Sequence, residues 1–143
     1  MTLSTSDIKL RSQRRLIRKT IIVYLLLAAL MVVINYIYGM FGHGVSSTAM
    51  TWMFLYPLAG GALLFLLIDV LTPGINEIAG YRLFFNCYNS GIASLTLGSF
   101  VKGILDVAGT SSPYIVFFYG AGWLFIGGGM ILLLRLAVKQ RRN

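Results

Sequence analysis

Negative charge is what this chain lacks most. Among its 143 residues four are acidic, against twelve Lys and Arg, giving a formal net charge of +8. Charged residues of both signs make up 11% of the chain, less than half of the roughly 25% usual in a soluble domain. Cys87 is the single cysteine, which excludes a disulfide scaffold and a thiolate metal cage. His43 is the single histidine, set between two glycines with no Cys or carboxylate beside it. One imidazole alone does not build a zinc site, so His43 reads as a loop residue. Three prolines and sixteen glycines without a period exclude collagen-like and low-complexity chains. Phosphate loops, CxxC pairs and paired catalytic carboxylates are missing. Ser99 and Lys102 have the residue types of a Ser–Lys hydrolase, but no oxyanion-hole signature accompanies them. No catalytic residue, metal ligand or cofactor is assigned, and the chain is not expected to be an enzyme.

What is present is apolar. The chain is 57% hydrophobic, with a mean hydropathy of +0.80. Long apolar runs, nearly free of charge, occupy residues 20–40, 51–71, 83–105 and 114–135. Each is close to the roughly 20 residues needed to cross a bilayer as a helix. Lipid cannot hydrogen-bond an exposed backbone, so such runs are helices or barrel strands. These are about twice a strand's length and do not alternate. The sequence therefore predicts an all-α polytopic membrane protein, a four-transmembrane-helix bundle. It is expected to form one membrane domain over 20–137, with basic tails at 1–19 and 138–143. Breaks fall at Gly39, Gly42 and Gly44, at Thr72-Pro73-Gly74, and between Gly109 and Pro113, residue types that end helices and make turns.

Six of the twelve cations (Lys9, Arg11, Arg14, Arg15, Arg18 and Lys19) precede the first run, and four (Arg135, Lys139, Arg141 and Arg142) close the chain. The positive-inside rule then places both termini in the cytoplasm. Tyr36, Tyr38, Trp52 and Tyr114 are expected in the outer aromatic belt, with Tyr24 and Tyr81 in the inner one. A basic stretch before an apolar run resembles a signal peptide. This run is too long for one and no small-x-small site follows, so an uncleaved first span is expected. The basic tails should rest on anionic headgroups. Without a folded basic face or stacking aromatics, nucleic acid is not an expected partner.

The third run is the least lipid-like. Every fourth residue gives Asn86, Ser90, Ser94, Gly98, Lys102 and Asp106, a row of small or polar side chains that helical spacing makes neighbours; Asn89 adds a second amide near Asn86. Two readings stay open. Such a row serves close helix packing with hydrogen bonds across the contact, or it lines a substrate path. Lys102 and Asp106, four apart and opposite in sign, suit an ion pair at the outer interface or a charged gate. Asp69, Glu77 and Arg82 offer similar pairing at the inner rim. In the fourth run Gly120 and Gly122 recur seven residues later as Gly127 and Gly129, with Gly128 between them. Two helical turns separate them, so they form a packing face or a hinge. Pro57, Gly60 and Gly61 make a comparable narrow spot in the second run. Gly44-Val-Ser-Ser47 and Gly109-Thr-Ser-Ser112 echo each other, as they would in a duplicated helical hairpin.

The stretches Gly42-His-Gly-Val-Ser46, Met50-Thr-Trp-Met-Phe-Leu-Tyr-Pro57 and Tyr88-Asn-Ser-Gly-Ile-Ala-Ser-Leu-Thr-Leu-Gly-Ser99 resemble small four-span membrane proteins of Gram-positive bacteria. The resemblance implies a bacterial cytoplasmic membrane and brings no activity with it. Two functions are compatible with these features. One is a small oligomeric transport or channel-like protein whose third helix lines a polar path. The other is a non-catalytic accessory subunit packed against a larger membrane protein.

Overall fold

The computed structural model describes residues 5–42 and 44–142, with side chains from 15 onward. His43 and the side chains of Lys9, Arg11 and Arg14 lie outside the described residues. All regular structure among the described residues is helical. In order, the chain forms α1 (Thr5–Phe41), α2 (Thr48–Trp52), a π-helical segment (Tyr56–Leu63), α3 (Leu64–Leu71), a 3-10 turn (Ile75–Glu77), α4 (Tyr81–Val107) and α5 (Ile115–Arg142). Four stretches are long and apolar enough to cross a membrane: Arg15–Phe41, Thr48–Leu71, Tyr81–Val107 and Ile115–Arg142. They coincide with the four runs read from the sequence. The basic tails are not separate from the spans they flank. α1 is 37 residues long, about 55 Å at 1.5 Å per residue, so the basic amino end and the first span are one rod. α5 likewise continues through Arg142.

The second span is the irregular one. Ser47 caps its start, its hydroxyl accepting from the Met50 amide at 3.4 Å. Pro57 then removes a backbone donor, and the ladder passes from α to π spacing around it. The span ends at Leu71. There Thr72 Oγ1 donates to the Ile68 carbonyl at 3.0 Å, and Gly74 takes φ +84°, the left-handed conformation that glycine adopts without steric cost. The Gln140 amide reaches the Pro73 carbonyl at 3.0 Å, so the end of α5 and the Thr72–Gly80 connection share one end of the bundle.

α4 is the central element. It packs along α5, meets α2 near one end and touches the π segment in its middle, whereas α1 leans on the second span. The core lies towards the end of the bundle that carries the termini. Phe65 is fully buried there, its ring centroid 5.8 Å from Tyr24, 5.5 Å from Phe85 and 6.3 Å from both Phe84 and Tyr88. Tyr24 is therefore not a belt residue, as its place near the start of a span suggested. It is 7% exposed and belongs to this aromatic cluster. Tyr36, Trp52 and Tyr114 are exposed, as a belt requires. Tyr38 is half-buried and meets the Phe100 ring edge-on at 6.0 Å.

Candidate functional site

The row of small and polar residues on α4 does not stay on one face. A step of four residues turns the helix about 40° past a full circle, so five steps carry the row about 200° around α4. It is divided among three neighbours.

Near the start of α4, Asn86 is exposed and Asn89 half-buried. Both line a lateral groove of about 960 Å³ between α1 and α4. The Tyr24 hydroxyl donates to Asn89 Oδ1 across that groove. The walls are apolar: Val23, Leu27 and Met31 from α1, and Phe85, Ile92, Ala93 and Leu97 from α4. Lys19 and Arg82 stand at the end that carries the termini, and among the described residues no Asp or Glu lines the groove. The groove exists because α1 is propped on the second span and held away from α4. Gly61 makes that propping close, since a Cβ there would fall inside the Tyr24 ring. The π-helical turn aims the Gly60 carbonyl at α4, where it accepts from the Tyr88 hydroxyl at 2.8 Å. Pro57 is buried beside them and reaches the groove.

The middle of the row turns to α5. Ser94 Oγ donates to the Phe118 carbonyl at 2.8 Å, and a Cβ on Gly98 would lie 2.7 Å from the Phe118 Cβ. Ser90, between these positions and the groove, is exposed and lines neither. The glycines of α5 divide in the same way. A Cβ on Gly122 would meet the Leu95 side chain at 2.5 Å, and one on Gly129 would meet Tyr88 at 2.9 Å. On α4, Gly91 sits 2.8 Å from the Ile126 amide by the same measure. Gly91 and Gly122 thus oppose each other, with Gly98 against Phe118 and Gly129 against Tyr88 on either side of them. Gly128 is near the Cys87 sulfur, while Gly120 and Gly127 face open space. Ser99, missed as a packing residue, is 1% exposed and shares a 2.9 Å hydrogen bond with the Tyr119 hydroxyl.

The far end of the row closes on the first connection. Lys102 Nζ lies 2.9 Å from Asp106 Oδ1, and Ser47 Oγ donates to Asp106 Oδ2 at 2.7 Å. Asp106 thus ties α4 to the residue that caps the second span. This is the one ion pair among the described residues; Asp69, Glu77 and Arg82 form none there. Gly44-Val-Ser-Ser47 and Gly109-Thr-Ser-Ser112 both open on a positive-φ glycine. Their last serines do different work, Ser47 capping a helix and Ser112 accepting from the Tyr114 amide.

No group of three or more potential metal ligands occurs among the described residues. The chain matches no family model, no curated protein and no solved structure.

Proposed function

We propose that this small integral membrane protein is a non-catalytic binding protein of the transport or carrier kind, admitting an amphiphilic molecule sideways from the bilayer between α1 and α4. One observation carries the reading: a groove of about 960 Å³ whose apolar walls hold the carboxamides of Asn86 and Asn89, about one turn apart on α4. That volume is at the upper end of the roughly 300–1,000 Å³ typical of ligand pockets, and apolar walls with a few fixed polar groups are their usual chemistry. A path lined by the whole α4 row is less well supported, because Ser94 and Gly98 are spent on contact with α5. The clustering of cations at the terminal end favours a bacterial cytoplasmic membrane with both termini inside.

Spin labels at Asn86, Ala93, Ser94 and Gly98 test the reading by collision with oxygen, which partitions into lipid, and with a water-soluble nickel chelate. The groove predicts oxygen access at Asn86 and Ala93 and little access by either quencher at Ser94 and Gly98. Nickel access at Asn86, Ser94 and Gly98 together would establish a hydrated path through the bundle and overturn it.

A second reading is favoured by the outer face of α5, where Trp123 and Leu124 are 61% and 79% exposed beside the open Gly120 and Gly127. In that reading the protein is an accessory subunit, or a homo-oligomer, that docks through this face. Crosslinking from Gly127→Cys in native membranes, with recovery of a stoichiometric larger membrane protein, is its expected signature.

A further inference from the structure

We infer that the α1–α4 groove is a site for one anionic glycerophospholipid of the leaflet on the terminal side, headgroup at Lys19 and Arg82 and acyl chains along Leu27, Met31 and Leu97. This rests on the groove being the functional site and goes further by naming what fills it.

Three features converge on that occupant. The first is length. The lining runs from Leu16 to Met31 on α1 and from Tyr81 to Leu97 on α4, about 22 and 24 Å at the helical rise. Half of a bilayer with its headgroup layer is roughly 20–22 Å deep. The groove therefore has the reach of a single leaflet and stops short of crossing the membrane.

The second feature is the order of chemistry along it. At the mouth stand Lys19 and Arg82, both exposed. Among the described residues neither has a carboxylate within ion-pair distance, and no acid lines the groove. α4 also begins there, with Gly80 at its cap and no acidic residue in its first turn, so its dipole adds positive potential at the same mouth. One and two turns deeper come Asn86 and Asn89. The Asn89 carboxamide oxygen is occupied by Tyr24, which leaves its N–H donors for another acceptor, such as an ester carbonyl of the glycerol region. Beyond that level the lining is hydrocarbon apart from the Thr96 hydroxyl, itself bonded to the Ile92 carbonyl at 2.8 Å. Cation, amide donor and hydrocarbon follow each other in the order of phosphate, ester and acyl chain.

The third feature is the contrast with the other end of the bundle. There the one Lys or Arg among the described residues, Lys102, is already paired with Asp106. A lipid of the opposite leaflet meets no equivalent free charge among the described residues.

The test uses the full chain purified in a mild detergent, exchanged into nanodiscs of mixed phosphatidylglycerol and phosphatidylcholine, and released for native mass spectrometry of retained lipid. Each juxtamembrane cation should favour the anionic lipid about fivefold, the two together about thirtyfold. Wild type should therefore retain one phosphatidylglycerol in strong preference to phosphatidylcholine. Lys19→Gln with Arg82→Gln, both at exposed positions, should bring the two lipids close to parity while some lipid is still held. Ala93→Trp, which fills the trough from an exposed position, should abolish retention of either while the protein stays monodisperse. Retention without charge preference in wild type, or a preference that survives the double substitution, overturns the headgroup assignment and leaves the groove standing. Lipid retention that is indifferent to Ala93→Trp, or a wild type that retains none, overturns the groove itself.

Discussion

α4 meets its two long neighbours by opposite means. Towards α5 the backbones approach until side chains are excluded, with Gly91 facing Gly122, Gly98 against Phe118 and Gly129 against Tyr88. Towards α1 there is no such approach. A tyrosine and an asparagine meet across a gap, and the space around them is a groove. Lipid-facing helices gain little from burying apolar surface against each other, so association depends on close van der Waals contact and on hydrogen bonds. The α5 flank uses the first, reinforced by hydrogen bonds from Ser94 and Ser99, and the α1 flank the second. A seam of the first kind is rigid and leaves no room for a ligand, whereas one of the second kind leaves volume beside a few directional contacts. The flank that binds should therefore also be the flank that tolerates change.

The sharpest way to break that contrast is one methyl group. In Gly91→Ala the new carbon would lie 2.8 Å from the Ile126 amide nitrogen and 2.9 Å from the Gly122 carbonyl oxygen. Both are backbone atoms, so the helices must move apart. Overpacking of this kind typically costs about 1–3 kcal/mol, and the midpoint of unfolding in an SDS titration should fall accordingly. On the opposite flank Ala93→Leu adds three carbons to an exposed groove position and should stay within about 0.5 kcal/mol of wild type. Equal losses from the two would show that the α1 flank is packed after all.

Tyr24→Phe should have the next largest effect. It keeps the ring stacked on Phe65 at 5.8 Å and removes only the hydroxyl that Asn89 accepts. The loss expected for one such hydrogen bond is about 0.5–1.5 kcal/mol, read as a drop in thermal midpoint in detergent. If the ring alone holds α1 in place, the drop will be absent and the hydrogen bond is not what spans the seam.

The two flanks were unequally visible in the sequence. Four spans were legible because lipid demands length and apolarity whatever the fold. The α5 seam was half legible, since glycines seven residues apart drift only about 20° and stay on one face. Gly122 and Gly129 do pack, whereas Gly120 and Gly127, equally spaced, face open space; spacing fixes a shared face but not which neighbour covers it. The α4 row is continuous in the sequence, but four-residue steps drift twice as far per step as heptads, and over Asn86 to Asp106 the drift divides it among different neighbours. Tyr24 read as an interfacial residue because its partners, Asn89 and Phe65, are more than forty positions away in sequence. The π-helical turn has one local signal, Pro57 before Gly60-Gly61, which in the sequence reads only as a narrow spot. It is instead the bend that presents the Gly60 carbonyl to Tyr88.

The open glycines sharpen the contrast from the other side. Gly127→Ala makes the same chemical change as Gly91→Ala, but nothing lies within 4 Å of the added carbon. An alanine in a helix interior is favoured over glycine by about 0.5–1 kcal/mol, so the monomer should become slightly more stable in the same titration. A loss would mean that the open face is covered in the membrane. Gly127→Leu should then also shift an oligomer to monomer in size-exclusion chromatography, as docking through α5 requires.

The smallest effect is expected where α4 is tied to neither long neighbour. Asp106→Asn removes the charge that pairs with Lys102 yet keeps an oxygen for the Ser47 hydroxyl. The ion pair is partly exposed, with side-chain accessibilities of 44% and 33%, and such pairs contribute roughly 0–1 kcal/mol. Whatever it contributes should shrink as salt rises from 0.01 to 1 M, because the screening length falls from about 30 to about 3 Å. Asp106→Ala also removes the acceptor of Ser47, and that part of its cost should be indifferent to salt. A salt-dependent fraction larger than the salt-independent one would make the charge the principal link. The comparison then gains a third term, because an electrostatic clasp would join α4 to the first hairpin at the end of the bundle opposite the groove mouth. Lipid retention in Asp106→Ala should nevertheless stay at the wild-type level, because the substituted residue lines no part of the groove.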